Sequence, residues 1–225
     1  MLALGMIAAL AMPGTAQATP QLGDLGVKQS MSVKASNGES LEGKDLRAIQ
    51  LATYTAASVD GNTIVGYDLT TNTALASDIT AAAKAAGATD TNLTVNGKND
   101  PMVWVVKNLT DSRSDPWSGK LRNFCNSLAK QTNFAKQDGT AVSTLSQDKA
   151  TMSTGNVLVP GIYAIVDRTP ATTTLSSGTA IKTTASIMMM NGTAVNGVNQ
   201  LRTAGGTTLT LGQVIYKVSN VESPD

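Results

Sequence analysis

The chain contains no histidine and only one cysteine, Cys125, among 225 residues. Without histidine it lacks the usual general base at neutral pH, the commonest metal ligand and every histidine-dependent nucleophile triad. A single cysteine excludes an internal disulfide and any Cys/His zinc spacing. Charged residues make up 15% of the chain and the net charge is +1, with no basic run, so nothing draws it to nucleic acid or to an acidic membrane surface. Aromatics amount to 4%, a poor supply for stacking against sugars. No Walker loop or dinucleotide fingerprint occurs. The expectation is a protein with no cofactor, no bound metal and no catalytic turnover. A hydrolase working through a carboxylate pair is the one enzymatic reading left open.

What is present begins with an apolar stretch. Leu2 to Ala11 form a hydrophobic core, Pro13-Gly14 break it, and Ala16-Gln17-Ala18 supply a small-x-small cleavage site. Residues 1–18 therefore read as a signal peptide, with Thr19 opening the mature chain. The absence of a Lys/Arg n-region points to a start further upstream. The core is too short for a stable membrane span, so the mature protein is expected to be secreted, into an oxidising compartment.

Strand patterns dominate the remainder. Met31, Val33 and Ala35 alternate with Ser32 and Lys34, giving a first strand over 30–35 that turns at Asn37-Gly38. Leu46 to Ala57 is a second β-prone run, and Asp60-Gly61-Asn62 predicts a hairpin into Thr63 to Leu69. Between about 75 and 130 the pattern turns helical. Ser77 caps a helix that Gly87 ends, and Asp100-Pro101 and Asp115-Pro116 open two more. In the third, Trp117, Leu121, Phe124, Cys125 and Leu128 share one face, so Cys125 reads as a small buried thiol. Strands resume after Asp138-Gly139, over Thr140 to Leu145, Val157 to Val159, and Ser186 to Met190 closed by Asn191-Gly192. Here methionines are read as packing rather than as metal ligands. A last alternating strand follows over Thr207 to Asn220.

The stretch that organises the chain is Val159 to Pro170. Pro160-Gly161 reads as a turn needing glycine's positive φ. In the strand that follows, Ile162, Ala164 and Val166 share one face, and Tyr163, Ile165 and Asp167 the other. Pro170 stops the ladder. The spacing Gly161, Tyr163, Ile165, Asp167, Pro170 resembles the Gly-x-Tyr-x-hydrophobic-x-acid…Pro signature of Cna-B-like domains, with aspartate where glutamate is usual. Taken with the order of elements, the mature chain resembles the N-terminal domain of an actinobacterial-type, sortase-assembled fimbrial subunit.

That resemblance implies a mainly β, Ig-like or Cna-B-like sandwich over 19–220 with a helical insertion, and 221–225 as the start of a linker to a second domain. It implies a structural pilin at the cell wall that polymerises head to tail through a class C-type sortase and meets host surface proteins or glycans. Pilins of this family commonly carry Lys–Asn isopeptide bonds, and the positions implied here are Lys34, Asn220 and Asp167. The sortase-joined lysine it implies is Lys217, in Ile215-Tyr216-Lys217-Val218-Ser219-Asn220, which resembles the pilin Tyr-Pro-Lys-Asn box. If Tyr216 packs inward, strand alternation turns Lys217 outward. A secreted carbohydrate- or host-ligand-binding adhesin on the same sandwich is the alternative.

Overall fold

The computed structural model describes residues 19–109, 119–170, 172–174, 180–183, 188–203, 206–216 and 220–222. Residues 1–18, read above as a signal peptide, the expected Asp115-Pro116 helix start with Trp117, and Lys217 lie outside the described residues.

The protein is mainly β. Its largest sheet is built on β3 (Leu46–Asp60), which returns through Gly61 (φ +57°) into β4 (Thr63–Thr71). On the other side of β3 lies β10 (Gly161–Asp167), followed by β13 (Met189–Gly192). Beyond β4 come β14 (Gln200–Arg202) and β15 (Thr208–Thr210), while β1 (Gln21–Leu22) and β7 (Thr140–Val142) pair with further stretches of β3. A second sheet has the order β16 (Gln213–Tyr216), β2 (Ser32–Ala35), β9 (Thr151–Ser153), β8 (Thr144–Leu145). Smaller units are β11 (Thr172–Thr174), β12 (Ala180–Thr183) and β17 (Asn220–Glu222), and the hairpin β5 (Thr94–Val95) with β6 (Lys98–Asn99).

The two faces of β10 carry two separate cores, as its alternation predicts. Ile162 and Ala164 pack with Ile49, Leu51, Ala52 and Tyr54 against the helices α1 (Ala76–Ala85), α2 (Pro101–Asn108), α3 (Lys120–Leu128) and α4 (Thr132–Ala135). Tyr163 and Ile165 pack with Leu46 and Ala48 against Met31, Val33, Val214 and Tyr216 of the second sheet. The molecule is thus layered: second sheet, large sheet, helices. A bulge makes this compatible with β3. Ile162 pairs with Ala52 but Tyr163 with Gln50, so Leu51 is the extra residue. Leu51 and Ala52 can then both enter the helix-side core.

Several sequence expectations need correction. Gly161 is not a positive-φ turn residue; it opens β10, where a Cβ would lie 2.1 Å from the Ala52 carbonyl oxygen. Asn191-Gly192 does not end a strand beforehand but lies inside β13. Val157 to Val159 form only an isolated bridge, Gln29 with Leu158, and β9 fills a place where no strand was expected. The last strand is not continuous. Gly212 (φ +80°) breaks it, so β15 stays antiparallel to β14 in the large sheet while β16 crosses to lie parallel to β2. Asp100 does not cap α2 through its own side chain. It accepts from the backbone N–H of Thr71 (2.9 Å) and from the Thr71 hydroxyl, whose oxygen in turn accepts from Met102 N–H at 3.0 Å. Val221 and Glu222, read as linker, pair with Lys182 and Ile181 in β17.

Candidate functional site

Where β10 ends, its inward alternation leaves a carboxylate between the two sheets. Asp167 stands opposite Leu46 and is only 5% exposed. Tyr216, the last residue of β16, reaches it from the second sheet and is 1% exposed. The third member, Lys44, comes from a tight turn in which Gly43 takes φ +78° and Lys44 N–H donates to Leu41 O at 3.1 Å. Backbone bonds fix this turn beside the end of β10. Arg168 N–H donates to Asp45 O at 2.8 Å, and Asp45 N–H donates to Thr169 Oγ1 at 2.8 Å.

Lys44 Nζ lies 4.0 Å from Asp167 Oδ2, with both side chains essentially removed from solvent. The Tyr216 hydroxyl donates to the same Oδ2, and Thr169 N–H donates to Oδ1 at 2.8 Å. The ammonium also sits 5.8 Å from the Tyr216 ring centroid, where the ring face attracts a cation. Burial pushes the Lys44 ammonium below the usual lysine range, and the neighbouring Asp167 charge partly opposes that shift. Burial, reinforced by its bond to Asp167, pushes the Tyr216 phenol well above the ordinary value, so it remains a donor.

Burying an ammonium and a carboxylate together is costly for a protein that needs only stability, because well-packed apolar side chains do as well or better. Chemically, the cluster sets an amine that holds its proton less tightly than a free lysine within 4.0 Å of a carboxylate oxygen.

Asp167 is thus where the sequence pattern put it, facing inward. Lys34 is not brought to it. It lies exposed on β2, between Ile215 of β16 and Thr151 of β9, pointing away from the face of Val33 and Ala35. Its own alternation with Met31, Val33 and Ala35 already carried that signal. The residue missed was Lys44, which sits in a turn where no periodicity marks a side chain as buried; only the flanking Leu41 and Leu46 hint at it. Tyr216 faces inward as alternation allowed. Asn220 opens β17, its backbone opposite Thr183.

A second feature is an open cleft of about 270 Å³ beside β3, lined among others by Gln50, Asn72, Gln137, Thr140 and Tyr163. The Tyr163 hydroxyl donates to Val159 O and accepts from Gln50 Nε2, both at 2.9 Å, and burial pushes its pKa up to about 12. Among the described residues no group of His, Cys, Asp and Glu could hold a metal ion, and no helix is long and apolar enough to cross a membrane. Compared with protein-family models and with curated proteins, the chain matches none.

Proposed function

We propose that the chain is a structural subunit of a sortase-assembled surface pilus that contributes to adhesion, and that its sandwich is closed by an amide between Lys44 and a side-chain carboxamide, for which the pilin resemblance implies Asn220. The buried Lys44–Asp167 pair is the observation that carries this reading. In the reaction, the neutral Lys44 amine attacks the acceptor carboxamide carbon. The new Nζ–Cγ bond forms, the Cγ–Nδ2 bond breaks, and Asp167 relays the proton released by Nζ to the departing nitrogen, which leaves as ammonia. No oxidant or cofactor is consumed. A cross-link over so long a loop restricts the unfolded chain as a disulfide does, by about 4–5 kcal/mol on the chain-entropy account. That suits a subunit under tension whose single cysteine cannot close an internal disulfide.

On this reading the chain is exported after cleavage behind Ala18 and held at the cell wall. Its partners are further pilin subunits, a class C-type sortase that uses Lys217, and host surface proteins or glycans. The deciding experiment is the intact mass of the folded protein with peptide mapping. A mass lower by one ammonia, with a peptide joining Lys44 to Asn220, is expected. An unmodified mass sinks the cross-link. Loss of water instead would join Lys44 to Asp167 itself and reassign the acceptor.

The alternative, a secreted adhesin not built into a polymer, draws on the amide-lined cleft beside β3. Binding on a glycan array that is abolished by Gln50→Ala would favour it.

A further inference from the structure

The cluster contains one group that the amide-forming reaction as written does not use, the Tyr216 hydroxyl. We propose that Tyr216 is a positioning residue for that reaction, holding the Asp167 carboxyl so that Oδ2 faces the Lys44 amine. This inference rests on the cross-linking reading above.

The argument starts from the freedom Asp167 would otherwise have. An aspartate at a strand end turns about χ2 over a broad, roughly two-fold range, so its two oxygens exchange places easily. Here each oxygen is claimed by a different donor. Thr169 N–H takes Oδ1 from the chain just past β10, and the Tyr216 O–H takes Oδ2 from the second sheet. The two donors fix the carboxylate plane, and Oδ2 is the oxygen 4.0 Å from Lys44 Nζ. Thr169 N–H cannot do this alone, because one bond still allows the free oxygen to swing.

Tyr216 is also well suited to hold that place. Its ring is buried and faces the Lys44 ammonium, so the phenol cannot rotate to solvent. Its hydroxyl keeps its proton over the whole working range, because burial and Asp167 both push its ionisation upward. The geometry further ties reaction to folding. Tyr216 belongs to β16 of the second sheet and Asp167 to β10 of the large one, so the carboxyl is aimed only after the sheets have closed. An amine and a carboxyl met in an unfolded chain would lack this alignment, which is worth much of the rate in intramolecular reactions.

Tyr216→Phe removes the hydroxyl and keeps the ring. In cell-free synthesis of the chain, with samples quenched over time and weighed intact, this variant should lose ammonia about 10- to 100-fold more slowly than the parent, the effect of one charge-assisted hydrogen bond. Because the variant could also fold poorly, ring-fluorinated tyrosines of graded acidity placed at residue 216 give a second measurement. Their rates should change in step with phenol acidity, whereas a tyrosine needed only for packing would give one rate for all. A parent that cross-links while Tyr216→Phe and every fluorinated form keep pace with it overturns this role alone. A parent that never loses ammonia overturns the cross-link and this role together.

Discussion

The α-carbon of Gly161 faces the carbonyl of Ala52 so closely that a Cβ would stand 2.1 Å from the oxygen and 3.1 Å from the carbonyl carbon. Both obstacles are backbone, in the central pair of the large sheet, next to the bulge at Leu51. Gly161→Ala should therefore force β10 away from β3 and cost about 3 kcal/mol or more. Urea unfolding that gives the parental midpoint for this variant would refute the close approach.

The buried pair makes an asymmetric prediction about two lysines. Lys44→Ala removes the buried ammonium that pairs with Asp167 and should destabilise by about 3–5 kcal/mol relative to the uncross-linked parent, while also preventing any loss of ammonia. Lys34→Ala, at an exposed site, should stay within about 0.5 kcal/mol of the parent and still lose one ammonia. Thermal melting and intact mass check both. A chain in which Lys34→Ala abolishes the mass change would return the role to the first strand.

All four tyrosines, Tyr54, Tyr67, Tyr163 and Tyr216, have ionisations pushed above 10.0 by burial. Raised phenol values mean that the unfolded chain loses protons first as pH climbs, so their stabilisation is complete below pH 10.0 and falls away above it. Lys44 acts in the opposite direction. Its value is lowered beneath 10.5, so the folded protein gains stability as pH rises through the interval between its own value and 10.5. One lysine cannot offset four tyrosines, so stability should drop steeply above pH 10. The proposed cross-link, if formed, would stop Lys44 titrating and remove this contribution. Native-state absorbance titration should show tyrosinate appearing only together with unfolding; a free phenolate near pH 10 in the folded protein would contradict the burial.

If the proposed pilus assembly holds, co-expression with a class C-type sortase should give a ladder of high-mass species that Lys217→Ala abolishes. If the ladder persists in that variant, the joining amine lies elsewhere, with Lys182 the next to test. If the chain is exported as proposed, N-terminal sequencing of the secreted form should begin at Thr19, and retention of residues 1–18 in the wall fraction would contradict the export argument.

Much of the architecture is written in short-range pattern. The period-two alternation from Ile162 to Asp167 put three residues on each face before any neighbour was known, and each face met its own core. The Asp60-Gly61-Asn62 turn fixed the β3–β4 hairpin in the same way, and the stripe of Phe124, Cys125 and Leu128 fixed the buried face of α3. These signals are legible because side-chain direction follows from the backbone period alone. Which strand a run pairs with does not. Nothing local says that Gly212 sends β16 to a second sheet beside β2, or that Gly161 is needed for a neighbour's carbonyl rather than for a turn. The site divides along the same line. Asp167 faces inward by alternation, and the sequence determined that much by itself. Lys44 lies in a turn, where no period assigns a face, and it is buried because the end of β10 and the end of β16 close over it. Long-range packing brought an amine, a carboxyl and a phenol from three separated segments into one dry space, and only the tertiary structure could decide that.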